Sequence, residues 1–469
     1  MTMLIEEDTL IVPGVTPPLD AHFRPLVLTY HAFQADVRKS GGGVPLVIGL
    51  ERSSGQCSRF ETRIFSITSP LAARNLPMVE RLVKTLLWAR GGWKIYLGGP
   101  TALGEALGAS YCPTGARAFD AAMMARIYEH PFTIVPCADG DVPAAQEPTR
   151  RIGGHLAGCR IGFDAGASDR KVAAVLDGTV VYSEEVVWDP CAHADPQYHH
   201  DEIMTALRTA AAHLPRVDAI GVSAAGVYVQ NRVRAASLFR GVPDDRFTPD
   251  VSELFVRLQR EWGNLPLEVI NDGDVTALAG AMSLNTTAVL GVALGSSEAA
   301  GYVTPDGSLT TWMNELAFVP IDAHPLAPVD EWSGDRGCGV QYLSQQAVGR
   351  LISAANLPID AALSLPERLK ALQQLATNGD ERVRPLYETI GVYLGYALAH
   401  YAEFYDFRYA LILGRVTSGD GGVIIQHMAE RVLRQEFPAL AARVSLQMPT
   451  EANRRVGQAI AAASLPQTA

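Results

Sequence analysis

The 469-residue sequence predicts an α/β protein of several domains with clefts between them. Three observations carry that expectation. Strand-like and helix-like segments alternate along most of the chain. A strand-turn-strand unit built around glycine occurs twice, near residues 164 and 295, which suggests two related halves. The balance of 48% hydrophobic to 19% charged residues is that of a folded globular chain, not a disordered one.

Residues 1 to about 40 carry Pro13, Pro17 and Pro18 and run into Gly41-Gly42-Gly43, which suits an extended arm or linker. Val44 to Leu50 is a short apolar run, Thr62 to Ile67 alternates, Met78 to Ala89 has helical periodicity, and Lys94 to Leu97 ends in Gly98-Gly99-Pro100. Residues 1–150 therefore form a small N-terminal α/β domain, joined to the main body by the Gly-, Pro- and acid-rich stretch Asp139 to Gly154. Beyond it a meander is expected at Arg160 to Phe163, Val172 to Leu176 and Val180 to Val187. Helices are expected at His200 to His213 and Val251 to Trp262, and buried strands at Ala219 to Val222 and Leu267 to Ile270. A second strand pair, Ala288 to Leu294 with Ala299 to Val303, opens the last part. The main body divides into 151–285 and 286–469.

A formal net charge of −11 with no basic stripe argues against a nucleic-acid partner. No apolar run approaches a membrane span, and the N-terminal stretch is acidic where an export signal is basic. Six scattered cysteines with no C-x-x-C pair suggest reduced thiols, so a cytoplasmic protein without a membrane partner is expected. A homodimer is the candidate assembly.

Chemistry concentrates at glycine turns. In Ile161-Gly-Phe-Asp164-Ala-Gly166-Ala-Ser168-Asp-Arg-Lys171 a strand ends in an acid, a tight turn follows with a hydroxyl residue, and a second strand leaves. Backbone N–H groups and a hydroxyl in such a turn can meet phosphate oxygens, and the carboxylate can hold Mg²⁺ through water; an ordinary hairpin explains the segment equally well. Leu294-Gly295-Ser296-Ser297 is a second turn of this kind, and Leu413-Gly414-Arg415 to Gly419 is a third, between a buried strand and a helix. Asn271-Asp272 ends a buried strand and opens a helix, so both side chains are expected in a cleft, although Asp272 taken alone could equally be a capping acid; Asp274 reads as a capping or first-turn acid.

The order and spacing of these segments resemble the ROK family (repressor, open reading frame, kinase) of the sugar kinase/actin superfamily, over about residues 158 to 465. Asp164 to Ser168 is similar to the family's Asp-x-Gly-Gly-Thr, Asn271 to Asp274 to Asn-Asp-x-Asn, Leu294 to Ser297 to Leu-Gly-Thr-Gly, and Leu413 to Val416 to the adenosine motif. The resemblance implies a two-lobed actin-like ATPase (ribonuclease H-like) fold, with lobes 151–285 and 286–469 following the N-terminal domain. It implies Asp272 as general base, Asn271 and Glu315 as partners of substrate hydroxyls, and Ser223, Gly226 and Ser237 as further substrate contacts. ATP would be held by Asp164, Gly166, Ser168, Lys171, Gly295, Ser296, Ser297, Gly414, Arg415 and Gly419, with Mg²⁺ at Asp164. Phe318 stands in place of a family histidine, and only Cys338 remains of a cysteine-rich zinc element, so no structural zinc is expected and His324 is read as an exposed loop residue.

The implied activity is ATP-dependent phosphorylation of a hydroxyl on a sugar or sugar-like small molecule. A non-catalytic sugar or nucleotide sensor of the same fold is the alternative, supported by Phe318, Arg415 and the added N-terminal part. An assembly role for that part is a third reading.

Overall fold

The computed structural model describes residues 5–148, 151–166, 168–448 and 451–468. Residues 1–4 of the acidic N-terminal stretch, Arg150, and Ala167 of the first glycine turn lie outside them. Fifteen strands are named among the described residues. The N-terminal segment holds β1 (Val44–Glu51), β2 (Cys57–Ile64), β3 (Lys94–Gly98) and β4 (Thr133–Cys137), in sheet order β2-β1-β3-β4. β1 runs antiparallel to both neighbours, and β3 pairs parallel with β4 through a crossover carrying helices Thr101–Ser110 and Ala118–Tyr128. Helix Asn75–Arg90 covers the sheet.

The main body holds two sheets with one wiring logic. In the first lobe β5 (Cys159–Ala165), β6 (Asp169–Leu176) and β7 (Thr179–Val187) form the expected meander. β8 (Ala219–Ala224) pairs parallel with β5, and β11 (Leu267–Asn271) pairs parallel with β8, giving the order β11-β8-β5-β6-β7. A ribbon of β9 (Val227–Val229) and β10 (Arg232–Ala235) lies beside it. In the second lobe β12 (Val289–Leu294) pairs antiparallel with β13 (Glu298–Val303) and parallel with β14 (Tyr409–Leu413), which pairs parallel with β15 (Ser445–Gln447). The antiparallel, parallel, parallel sequence of pairings thus appears in both lobes, with β7 lacking a counterpart in the second. This repeated half is the ribonuclease H-like unit, and the chain is an α/β protein with the two-lobed actin-like architecture.

Two glycines set how closely the halves meet. Helix Asp272–Ser283 starts at the end of β11 yet lies against β12 and β13 of the second sheet. A methyl on Gly301 would sit 2.2 Å from the Gly273 carbonyl oxygen, and one on Gly273 2.3 Å from that of Ala300. Because backbone atoms cannot yield as a flexible side chain can, Gly301→Ala should cost about 1–3 kcal/mol, as overpacking of a tight interior does. Thermal unfolding of that variant at the wild-type temperature would show that the contact is looser than drawn.

The N-terminal segment is not an extended arm. Helix Leu26–Lys39 buries Leu26, Val27, Tyr30, Phe33 and Val37, an i, i+1, i+4, i+7, i+11 stripe. The preceding stretch is tied to the second lobe: Val15 N–H donates to Tyr396 Oη (3.3 Å), Leu19 N–H to Thr389 Oγ1 (3.1 Å) and Leu26 N–H to the Ile321 carbonyl (2.9 Å). One hydrophobic cluster accordingly runs from Ile5 to Tyr128 and on through residues of the second lobe from Leu290 to Leu446. The first lobe has its own core around Ile161, Phe163, Ile220 and Leu254. Its expected helix at Val251 to Trp262 is shorter, Leu254–Glu261, because a π turn at Phe247–Val251 takes up its start.

Candidate functional site

β5, β8 and β11 lie side by side and parallel, so their carboxyl ends place Asp164, Ser223 and Asn271 at one edge of the first sheet. The Asn271 carboxamide oxygen accepts from Gly273 N–H (2.8 Å) and so caps helix Asp272–Ser283; its nitrogen donates to the Gly226 carbonyl (2.8 Å). This fixes Asp272 in the first turn, half-buried, with no side chain of the described residues hydrogen-bonding it. Burial, then the neighbouring Asp164 charge, pushes its carboxyl up to about 6, against the pull of nearby backbone N–H groups. Glu315 also lacks a side-chain hydrogen bond among the described residues, and burial with the Asp272 charge raises it to about 7. Two carboxylates that feel each other and that no described side chain hydrogen-bonds are what an acid-base site needs.

Asp274 is no cap. It is 3% exposed and accepts from Tyr302 N–H (3.0 Å) and Asn314 Nδ2 (2.8 Å), linking the helix to β13 and to the loop that carries Glu315; burial lifts it to about 8. Glu298, one residue past the second glycine turn, escaped the sequence reading, although an acid at the start of an apolar strand was the available signal. It is 2% exposed, accepts from Tyr401 Oη (2.8 Å), and burial raises it to about 8. For Asp274 and Glu298 the folded protein keeps protons that the unfolded chain has released above about pH 4, so stability falls as pH rises toward 8. Unfolding should thus occur at a lower temperature at pH 9 than at pH 6.5, and Glu298→Gln, which cannot titrate, should reduce the difference. Equal slopes for variant and wild type would remove Glu298 from this account.

The other residues singled out from the sequence fall as follows. Asp164 is 5% exposed, accepts from Ser223 Oγ (2.7 Å) and Gln458 Nε2 (3.2 Å), and has Lys171 Nζ at 3.7 Å. Burial raises it, with the Ser223 and Lys171 contacts opposing. Ser223, expected as a substrate contact, is fully buried with its hydroxyl turned to Asp164, so it supports that carboxylate. Ser237 is also misplaced by the sequence reading: it lies in a surface turn where its carbonyl accepts from Cys191 Sγ, apart from the cleft. Gly226 lines the cleft with Asn271. Gly166 and Ser168 sit at the end of the β5 hairpin, where Ser168 donates to Asp169 and the Gly166 carbonyl accepts from Trp188 Nε1. Gly295, Ser296 and Ser297 form the β12–β13 turn, closed by Gly295 N–H on the Ser297 carbonyl (3.0 Å). Gly414 has φ +98° and would place a methyl 2.3 Å from the Leu294 carbonyl oxygen, so the second and third glycine turns lie side by side. Arg415 is exposed and borders an open groove with Gln345, Lys370, Gln373 and Ser418; Gly419 begins the next helix.

A magnesium held by protein ligands alone does not fit. Among the described residues no group of three His, Cys, Asp or Glu converges, and Asp164 already has Ser223, Gln458 and Lys171 around it. Those contacts suit an ion carried on phosphates with Asp164 behind it.

Residues where the zinc element was sought instead meet the N-terminal segment. Phe318 stacks on Trp88 at 4.1 Å between centroids. Cys338 is fully buried, its thiol pushed up to about 12 by burial. Beside it Asp335 accepts from Arg81 (2.9 Å) and lies 3.3 Å from Lys84 Nζ and 2.7 Å from Arg117, while Lys84 also reaches Asp120 (3.0 Å) and Arg117 reaches Glu80. His324 is not exposed but half-buried, 5.3 Å from the His22 ring, with Nδ1 accepting from Leu326 N–H.

A cleft of about 110 Å³ lies where the three parts meet. The first lobe contributes Gly226, Val227 to Asn231 and Glu268 to Asn271, the second Thr310 to Met313, and the N-terminal segment Arg52, Gln56 and Tyr128.

No protein-family profile matches the chain, and no curated protein matches it. Among solved structures it is similar to a ROK hexokinase from Thermus thermophilus, with 19% identity over 65% of this chain and 97% of that one and a TM-score of 0.49. It is similar to a ROK family glucokinase from Streptomyces griseus, solved with glucose and AMPPNP (20%, 65% and 98%, TM-score 0.48). It is also similar to a ROK family transcriptional regulator homologous to the E. coli Mlc protein (21%, 65% and 78%, TM-score 0.49).

Proposed function

We propose that the chain is an ATP-dependent kinase for a hydroxyl of a sugar or sugar-like small molecule. The observation that carries this is the half-buried Asp272 at the carboxyl edge of the parallel strands, with no side-chain hydrogen bond among the described residues and its carboxyl raised to about 6. Such a group is ionised at neutral pH and close enough to its turning point to accept a proton from a hydroxyl as that oxygen attacks phosphorus. Asn271, held between Gly226 and Gly273, orients the acceptor, and Glu315 binds a neighbouring hydroxyl. The turns at Gly166–Ser168 and Gly295–Ser297 offer N–H and hydroxyl donors to the phosphates, with Asp164 and Lys171 behind the first. The groove beside Gly414, Arg415 and Gly419 takes the adenosine. Lobe closure excludes water from the transfer. In this reading the divisions 1–150, 151–285 and 286–469 are parts of the chain whose cores overlap, since 1–150 packs into the second lobe and helix Glu451–Ala463 onto the first.

The test is incubation of the protein with Mg-ATP and a panel of hexoses, amino sugars and polyols, measuring ADP. ADP dependent on one acceptor supports the kinase. Saturable sugar binding with no ADP supports the second reading, a sensor, which the Phe318–Trp88 stack favours because it fills a position where the resemblance expects a substrate-side histidine.

A further inference from the structure

The N-terminal segment grips the loop that carries Glu315. The last four carbonyls of a helix lack intrahelical donors, and here two of those of helix Asn75–Arg90 are taken up by that loop. The Trp88 carbonyl accepts from Glu315 N–H and the Ala89 carbonyl from Asn314 N–H, both at 3.0 Å. Gln56 Oε1 accepts from Thr311 Oγ1 (2.8 Å), and the Arg90 guanidinium lies 4.7 Å from the Trp312 ring centre. Loop and segment therefore form one wall, and that wall faces Gly226 and Asn271 across the cleft.

Its chemistry is specific. Arg52, a cation of this wall that lines the cleft, is 2% exposed and bonded to Ser58 and Glu147, so its charge is already matched. Tyr128 is 8% exposed, and no described residue hydrogen-bonds its hydroxyl, which lies over Gly91 where any side chain would collide with it. The Gln56 amide nitrogen likewise has no partner among the described residues. Where it lines the cleft the wall thus offers neutral donors and a guanidinium already paired, while Arg90 lies behind it on the Arg59 and Phe404 carbonyls; the space, about 110 Å³, holds roughly four waters at the usual volume per water.

We infer that Tyr128 and Gln56 are acceptor-specificity residues supplied by the N-terminal segment, and that they restrict the acceptor to an uncharged, polyhydroxylated molecule of monosaccharide size. This rests on the kinase reading only for the word acceptor; the binding claim stands without turnover.

The experiment measures calorimetric binding and ADP release for D-glucose, D-mannose, N-acetyl-D-glucosamine, sorbitol, maltose and D-glucose 6-phosphate, on wild type, Tyr128→Phe, Gln56→Ala and Tyr128→Ala. Circular dichroism checks that each variant is folded. A neutral monomeric probe should bind the wild type in preference to maltose and to the phosphate ester. Tyr128→Phe and Gln56→Ala should each raise its Kd about three- to ten-fold, the loss of one neutral hydrogen bond, with the change falling on KM rather than kcat. Tyr128→Ala should admit maltose. Preference of the wild type for glucose 6-phosphate or maltose, unchanged Kd in both single-contact variants, or binding of none of the neutral probes would each overturn the inference. Weakened binding without ADP from any form would sink the kinase reading and leave the wall standing; ADP with unchanged KM would do the reverse.

Discussion

Asp272→Asn should lower kcat by about 10² to 10⁴ while leaving the protein folded, the usual size of a lost general base. Its fold should not suffer, because the carboxyl makes no side-chain hydrogen bond among the described residues and sits where Asp164 and Glu315 repel its charge. Removing that repulsion should leave the unfolding temperature equal or higher. The pair of results separates a catalytic carboxylate from a structural one, whose loss would lower both. In the wild type, the base works only when ionised, so kcat/KM should fall as pH drops through about 6. A variant with near-normal turnover, or a wild-type profile flat from pH 5 to 8, would remove Asp272 from the mechanism.

Asp335→Ala should destabilise the chain by about 3–5 kcal/mol, the range for breaking a buried ion pair and leaving its partners unmatched. Arg81, Lys84 and Arg117 all converge on Asp335, which is 2% exposed, and only Glu80 and Asp120 would remain to balance them. Despite burial, the three cations hold the Asp335 carboxyl far below the usual carboxylate range. A depressed carboxyl contributes stability that is fully present above the ordinary value near 4 and lost as pH falls toward the folded-state value, so the wild type should keep this contribution until strongly acid pH. Denaturant unfolding of the variant is the measurement, and a midpoint equal to wild type would show that the cluster is not what joins the N-terminal segment to the second lobe.

The main body was legible because its signals are local: a glycine between two apolar runs marks β5–β6 and β12–β13, and Asn271-Asp272 follows a run that is buried. What failed was anything decided by contacts between distant parts. Leu26–Lys39 carries an apolar stripe, but Pro13, Pro17 and Pro18 before it and three glycines after it point to an extended arm. Ser223 enters the sequence reading only through the resemblance, as a substrate contact, and its bond to Asp164 one strand away has no local signal. Glu80, Arg81 and Lys84 interrupt the apolar periodicity of helix Asn75–Arg90, and without their partners Arg117 and Asp335 the interruption has no meaning. Phe318 registered as a lost histidine, although its significance is the stack with Trp88, 230 positions away. Tyr128 and Gln56 had no pattern at all.

The single core shared by residues 5 to 128 and residues 290 to 446, with the first lobe threaded between, has a consequence for how the chain acquires its shape. Helix Leu26–Lys39 and helix Asn75–Arg90 leave the ribosome well before Tyr393 and Phe404, against which that core closes, have been synthesised. Contacts of such sequence separation form late, because loop closure must precede them. The nascent N-terminal portion must therefore wait with Phe23, which meets Tyr342, Tyr393 and Tyr396, uncovered, in the state that invites aggregation and recruits chaperones. The first lobe gathers one cluster from residues 161 to 269, but helix Glu451–Ala463 packs on β5, β6 and β8, so its sheet too is closed only by the last part of the chain to be made.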